Sequence, residues 1–163
     1  MVWANEIVRI VRFLINDIDA TTYSDDRLEE TVLVSAQLLL DTMDFSNTYT
    51  VDLDTFALSP DPTTLSTKDN IFINALALKT ACIVLGSEAK TLAAQNYVIK
   101  DGPSSISIGG AYQSTNQLYK DLCDKLDKFL FDYRVGNSIA GQAILTPYTN
   151  EGLSEGAPIR NFE

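Results

Sequence analysis

The stretch IFINALALKTACIVLGSEA, beginning at Ile71, constrains this chain more than any other. Apolar residues fall on nearly every side of a helix drawn through it, and a helix without a polar face has to be enclosed by other elements. Asn74, Lys79 and Thr80 interrupt the run, so its unbroken parts are too short for a bilayer and a buried central helix is expected. That helix is expected over residues 68–95, with Ser66 or Thr67 capping its free N–H groups and Asp69 near its positive end. A chain of 163 residues, 45% hydrophobic and 21% charged, is long enough to build one core around it.

Three more helices follow from apolar spacing. Trp3, Ile7, Ile10, Val11, Leu14 and Ile15 define a first helix over about 3–16, with Glu6, Arg9, Arg12 and Asn16 on the opposite side. Leu28, Val32, Ser35, Leu39 and Met43 mark one face of a second, while Leu33, Leu38 and Leu40 lie outside that face. Leu118, Leu122, Leu126, Phe129 and Tyr133 give a fourth over about 114–134. There Asp121 with Lys125, and Asp124 with Lys128, are acid-before-base pairs suited to an exposed side.

Between the helices the period changes. Tyr49, Val51 and Leu53 alternate with Thr50, Asp52 and Asp54, as in a half-exposed strand that SPDPTT then stops. YVIKDGPSSISIGG reads as two short strands, Tyr97 to Lys100 and Ser105 to Ile108, around an Asp101-Gly102-Pro103 turn. Beyond Val135 no period survives, so the tail cannot form a core of its own, and fully extended it reaches on the order of 90 Å. Ile144, Leu145, Tyr148, Leu153, Ile159 and Phe162 make it more apolar than an inert linker. It is either an arm that docks on something or a disordered tail. The fold class is therefore mainly α: a four-helix core over 1–134 with a small β-hairpin or strand element, and an extended C-terminal arm over 135–163.

The passage NDIDATTYSDDRLEE, residues 16–30, holds six carboxylates and is the most conspicuous place for chemistry. Asp17 and Asp19 match the first and third positions of a calcium-binding EF-hand loop. However, Thr22 stands where the loop needs glycine and Leu28 where it needs a bidentate glutamate. Punctuation between two helices fits better: Ser24 is an N-cap, a contribution of about 1 kcal/mol, and Asp25 and Asp26 suit the positive end of the second helix. The remaining acids are read as solvated loop and surface groups. No histidine exists to act as a general base or metal ligand, so no catalytic residue, metal site or cofactor is assigned. Gly109-Gly110 lies in no phosphate-binding motif and is read as an exit from the hairpin into the fourth helix, with Ser114 or Thr115 as its cap.

A net charge of -10, from 12 basic and 22 acidic residues, argues against binding nucleic acid through its phosphates. Cys82 and Cys123 sit in apolar helical patterns without redox or zinc spacing and are read as buried thiols of a reducing compartment. The N-terminus has no basic flank before an apolar run and a cleavage site, so no secretory signal is expected.

The order of parts is more telling than any single site. A short amphipathic helix leads into the passage Asp17, Asp19, Tyr23, Ser24, Asp25, Leu28, Glu29 and Glu30. A β segment, a long helix, the hairpin VIKDGPSSISIGG and a Tyr- and Leu-rich helix then follow. Over about residues 3–134 this resembles the head-tail connector, or adaptor, proteins of tailed bacteriophages. The resemblance implies a homo-oligomeric ring, commonly of twelve subunits, at the neck of the virion and assembled in the host cytoplasm. In such a ring the partners are the portal protein and neck or tail proteins, and DNA passes through the lumen without sequence-specific binding. It further implies that the hairpin, through Tyr97, Ile99, Ile106 and Ile108, and the arm, through its apolar residues, contact a neighbouring protein. The alternatives are another neck or tail-completion subunit, a cytoplasmic helical interaction protein, or an enzyme relying on acidic residues or a metal.

Overall fold

The computed structural model describes residues 2–95, 98–101, 104–107 and 110–137, with side chains over 3–94 and 112–136. Among these residues lie four helices: α1 (Val2–Ile15), α2 (Asp25–Thr42), α3 (Asn70–Gln95) and α4 (Gly110–Asn137). Two small antiparallel sheets accompany them, β1 (Thr50–Asp52) with β2 (Ala57–Ser59), and β3 (Val98–Asp101) with β4 (Ser104–Ser107). The class is mainly helical, as the apolar spacing predicts. The chain divides into two compact units, residues 1–127 and 128–163; the described part of the second is the last turns of α4.

In the first unit α3 is the centre, with α1 and α2 both packed on it. Phe72, Ala75, Leu76 and Ala81 are wholly buried, and the small side chains among them let neighbouring helices approach closely. The helix has the length and apolarity to cross a membrane, yet more than half of its most apolar stretch is buried inside the fold. Thr80 survives in this setting because its hydroxyl donates to the Leu76 carbonyl at 2.8 Å. From α1 come Trp3, Ile7, Val11 and Ile15; from α2 come Leu28, Val32, Leu33 and Leu39, each burial worth on the order of 2 kcal/mol. Ser35 lies within that apolar face and is satisfied through the Thr31 carbonyl at 2.7 Å.

The cap of α3 differs from the expectation. Asp69, and neither Ser66 nor Thr67, is the capping residue: its carboxylate accepts the Phe72 N–H at 3.0 Å and its carbonyl the Ile73 N–H at 3.0 Å. The reason lies some twenty residues upstream, where Tyr49 stacks on Phe72 with ring centroids 4.0 Å apart and donates its hydroxyl to Asp69 at 2.7 Å. Asn47 adds a second donor at 2.8 Å. Burial alone would raise the Asp69 carboxyl, but these bonds outweigh it and hold the group below its ordinary value.

The single strand expected at Tyr49–Leu53 is half of a hairpin. Val51 pairs with Leu58 and Thr50 with Ser59, so regular pairing runs up to the residue before Pro60. Ala57–Ser59 is short and lacks β-branched residues, which is why no strand was legible there. In the second hairpin the ladder runs one pair further than expected, closing with Asp101 opposite Ser104.

α4 starts at Gly110, ahead of the expected Ser114 or Thr115 cap, so both residues lie within the helix and Gly110 is no loop exit. Leu122 and Leu126 are buried as the spacing predicts, whereas Leu118 is exposed. Asp121 accepts from Gln117 at 2.8 Å. Where α4 meets α3, a Cβ on Gly86 would stand 2.9 Å from the Tyr119 ring, so only glycine allows this approach.

Replacing Asp69 by alanine removes the cap and leaves Tyr49 without its acceptor. Urea unfolding is expected to show a loss of about 1–2 kcal/mol, with Tyr49→Phe costing less.

Candidate interaction surface

The acidic passage at 16–30 proves to be one knot. Asn16 takes a left-handed conformation, φ 58, and the Asp17 N–H returns to the Arg12 carbonyl at 3.0 Å, so α1 ends in a Schellman-type cap. The Asp17 carboxylate then gathers the following turn: Oδ1 accepts from the N–H groups of Thr21 and Thr22 at 3.1 and 3.0 Å, and Oδ2 from that of Tyr23 at 3.1 Å. Oδ2 also binds the Arg12 guanidinium at 2.7 Å. Ser24 caps α2 through the Arg27 N–H, and Asp25 and Asp26 occupy its first turn, as expected.

Arg12, assigned to the outer side of α1, is buried, and Asp17, grouped with the solvated acids, is buried with it. Each is tolerated because each is saturated: besides Asp17, Arg12 donates to the Tyr23 carbonyl at 2.9 Å and to Asp25 at 2.6 Å. Burial would raise the Asp17 carboxyl, but the Thr22 and Tyr23 N–H groups, the Arg12 charge and the Thr21 N–H together lower it below its ordinary value. Tyr23 fastens the knot to the core by donating to Glu88 of α3 at 2.6 Å. Burial, then this bond, pushes its phenol well above the usual range.

The chemistry of the knot is structural. Both Asp17 oxygens already face N–H donors, which a calcium ion would have to displace, and Asp19 is exposed away from this set of bonds. Among the described residues no group of three or more His, Cys, Asp or Glu side chains is placed to hold a metal ion.

Several large apolar side chains face solvent. On α2, Asp26, Glu30, Val34 and Leu38 recur every four residues along one exposed stripe, with Val34 and Leu38 41% and 44% exposed. Phe56, 44% exposed at the tip of the first hairpin with φ 53, lies beside Asp26 and Glu30. A bulky side chain in a left-handed conformation at an exposed tip is uncommon and marks a place of interest. Phe13 on α1 and Ile18 in the turn after it are 63% and 57% exposed and border a groove of about 490 Å³ that also includes Arg9 and Glu29.

Of the partner-binding residues expected from the sequence, Ile99 and Ile106 pair directly across β3 and β4. Tyr97, Ile108, Ile144, Leu145, Tyr148, Leu153, Ile159 and Phe162 lie outside the described residues. Val34, Phe13 and Phe56 were not anticipated; the available signal was their position off the core-facing stripe or inside a polar turn. Comparison with protein-family models, with curated proteins and with solved structures gives no match.

Asp17→Asn is expected to cost on the order of 3 kcal/mol at pH 7, because Arg12 stays buried with only Asp25 to balance it. Since the folded carboxyl lies below its ordinary 3.8, the Asp17 contribution is complete above that value and disappears as pH falls through the folded one. Urea unfolding of wild type and variant should therefore converge in strongly acidic buffer and diverge at neutral pH.

Proposed function

We propose that this chain is a head-tail adaptor of a tailed bacteriophage, a structural subunit that closes into a ring against the portal and works by assembly without catalysis. The phage setting rests on the sequence resemblance. The observation that carries the assembly reading is the α2 stripe: Val34 and Leu38 lie side by side in solvent, with half-buried Leu40 nearby, while the opposite face of the helix is fully packed. One exposed leucine means little, but adjacent apolar side chains on a rigid helix, with Phe56 near its N-terminal half, form a surface suited to a neighbouring copy. Such a contact joins unlike patches of two subunits and closes a ring when the rotation permits.

The acidic surface supports the same reading. With ten net negative charges on each copy, a ring can turn part of that charge toward its lumen and let DNA slide without adhering. The acids that are buried, Asp17 and partly Asp69, are committed to capping and ion pairing and are not free to act as an acid/base pair. In this reading the hairpin at β3 and β4 and the segment beyond α4 reach toward the portal or the next neck component.

Negative-stain images of the protein, alone and mixed with portal, are expected to contain rings of uniform diameter; persistent monomers in the presence of portal would count decisively against the proposal. Val34→Asp with Leu38→Asp should preserve helical circular dichroism and the thermal midpoint while abolishing rings. Removal of residues 138–163 should leave the helical signal intact and weaken attachment to the portal or neck partner.

A further inference from the structure

The chain has two cysteines, separated by forty residues of sequence, and the fold brings them together. Cys82 projects from the middle of α3 and Cys123 from α4; both are free thiols, near enough for Cys123 to raise the Cys82 thiol. Both line one cavity of about 410 Å³, along with Lys79, Tyr119 and Asp127. Cys82 is 6% exposed and Cys123 is half-buried, so the cavity gives reagents access chiefly to Cys123. One turn after Cys82 on α3 and one turn before Cys123 on α4, the Tyr119 ring rests on Gly86 and brings α4 close to α3 beside the two sulfurs.

We propose that Cys82 and Cys123 form a thiol pair that a small-molecule disulfide converts into an intramolecular cross-link, stapling α4 to the central helix. Both thiols face one cavity, and side-chain rotation together with a small approach of the two helices brings the sulfurs to the bonded separation of about 2 Å. The Cys123 thiolate attacks the small disulfide, whose S–S bond breaks, and one thiol departs with the proton that Cys123 gave up. The Cys82 thiolate then attacks the Cys123 sulfur of the mixed disulfide, and the second small thiol leaves, taking up the proton from Cys82. Two protein thiols are oxidised and one disulfide is reduced. Burial, then the neighbouring Cys123, pushes the Cys82 thiol up from its ordinary range, which makes Cys82 the resolving partner and not the one that reacts first. In a reducing compartment the pair stays open; in oxidising surroundings it closes. The inference does not depend on whether the chain forms rings.

The full-length protein is incubated with oxidised glutathione, quenched with an alkylating agent and weighed intact. Wild type is expected to lose the mass of two hydrogens, retain no glutathione and accept no alkyl group, and to melt several degrees higher until a dithiol reverses the change. Cys82→Ala should keep one glutathionyl group on Cys123, and Cys123→Ala should remain unmodified at Cys82 over the same time, neither variant gaining thermal stability. Retention of glutathione on wild-type Cys123, a cross-linked dimer as main product, or Cys82 in Cys123→Ala reacting as fast as wild type would each overturn the proposal.

Discussion

Taking a guanidinium and a carboxylate out of water together is costly unless every donor and acceptor finds a partner, and the Arg12–Asp17 pair meets that condition. Its side chains are 9% and 4% exposed, and between them they engage the end of α1, the whole connecting turn and the first turn of α2. The pair thereby sets how α2 leaves α1, and so how the apolar faces of both helices meet α3. Tyr23 extends the same set of bonds into α3 through Glu88. Without this polar corner, the burial of Ile7, Val11, Leu28 and Val32 would still be favourable but would not specify one angle between the helices.

A second polar centre does similar work at the other end of the core. Asp69 caps α3 while binding Tyr49 and Asn47 from the loop before the first hairpin, and the stacked Tyr49 and Phe72 rings seal the contact. Asp61, between β2 and α3, accepts the Trp3 N–H and ties the start of α1 to the segment that leads into α3. The three acids share one logic: each answers N–H groups that a helix or turn end leaves unpaired. That use explains why the buried carboxylates of this acidic chain lie among structural donors.

Much of the fold was legible in the sequence because local patterns dictate it. The enclosed character of α3, the core stripe of α2 from Leu28 to Met43, the Ser24 cap and the second hairpin each follow from spacing within a few residues. The misreadings at Arg12, Asp69 and β2 involve partners outside the element that carries them. Arg12 looks solvent-facing until the turn after α1 folds back over it, and Asp69 looks like a mere dipole partner until Tyr49 arrives. β2 has no strand character of its own and exists because β1 lies beside it.

The amino-acid order by itself determined that this protein is helical, acidic, arranged around one apolar helix and without histidine, since periodicity and composition are properties of neighbouring residues. Tertiary structure alone decided which acids leave water, which apolar side chains on α1 and α2 stay outside, and that two cysteines far apart in sequence become neighbours. Burial and pairing belong to elements packed together in space, and free energies of desolvation depend on those surroundings, not on the side chain taken singly.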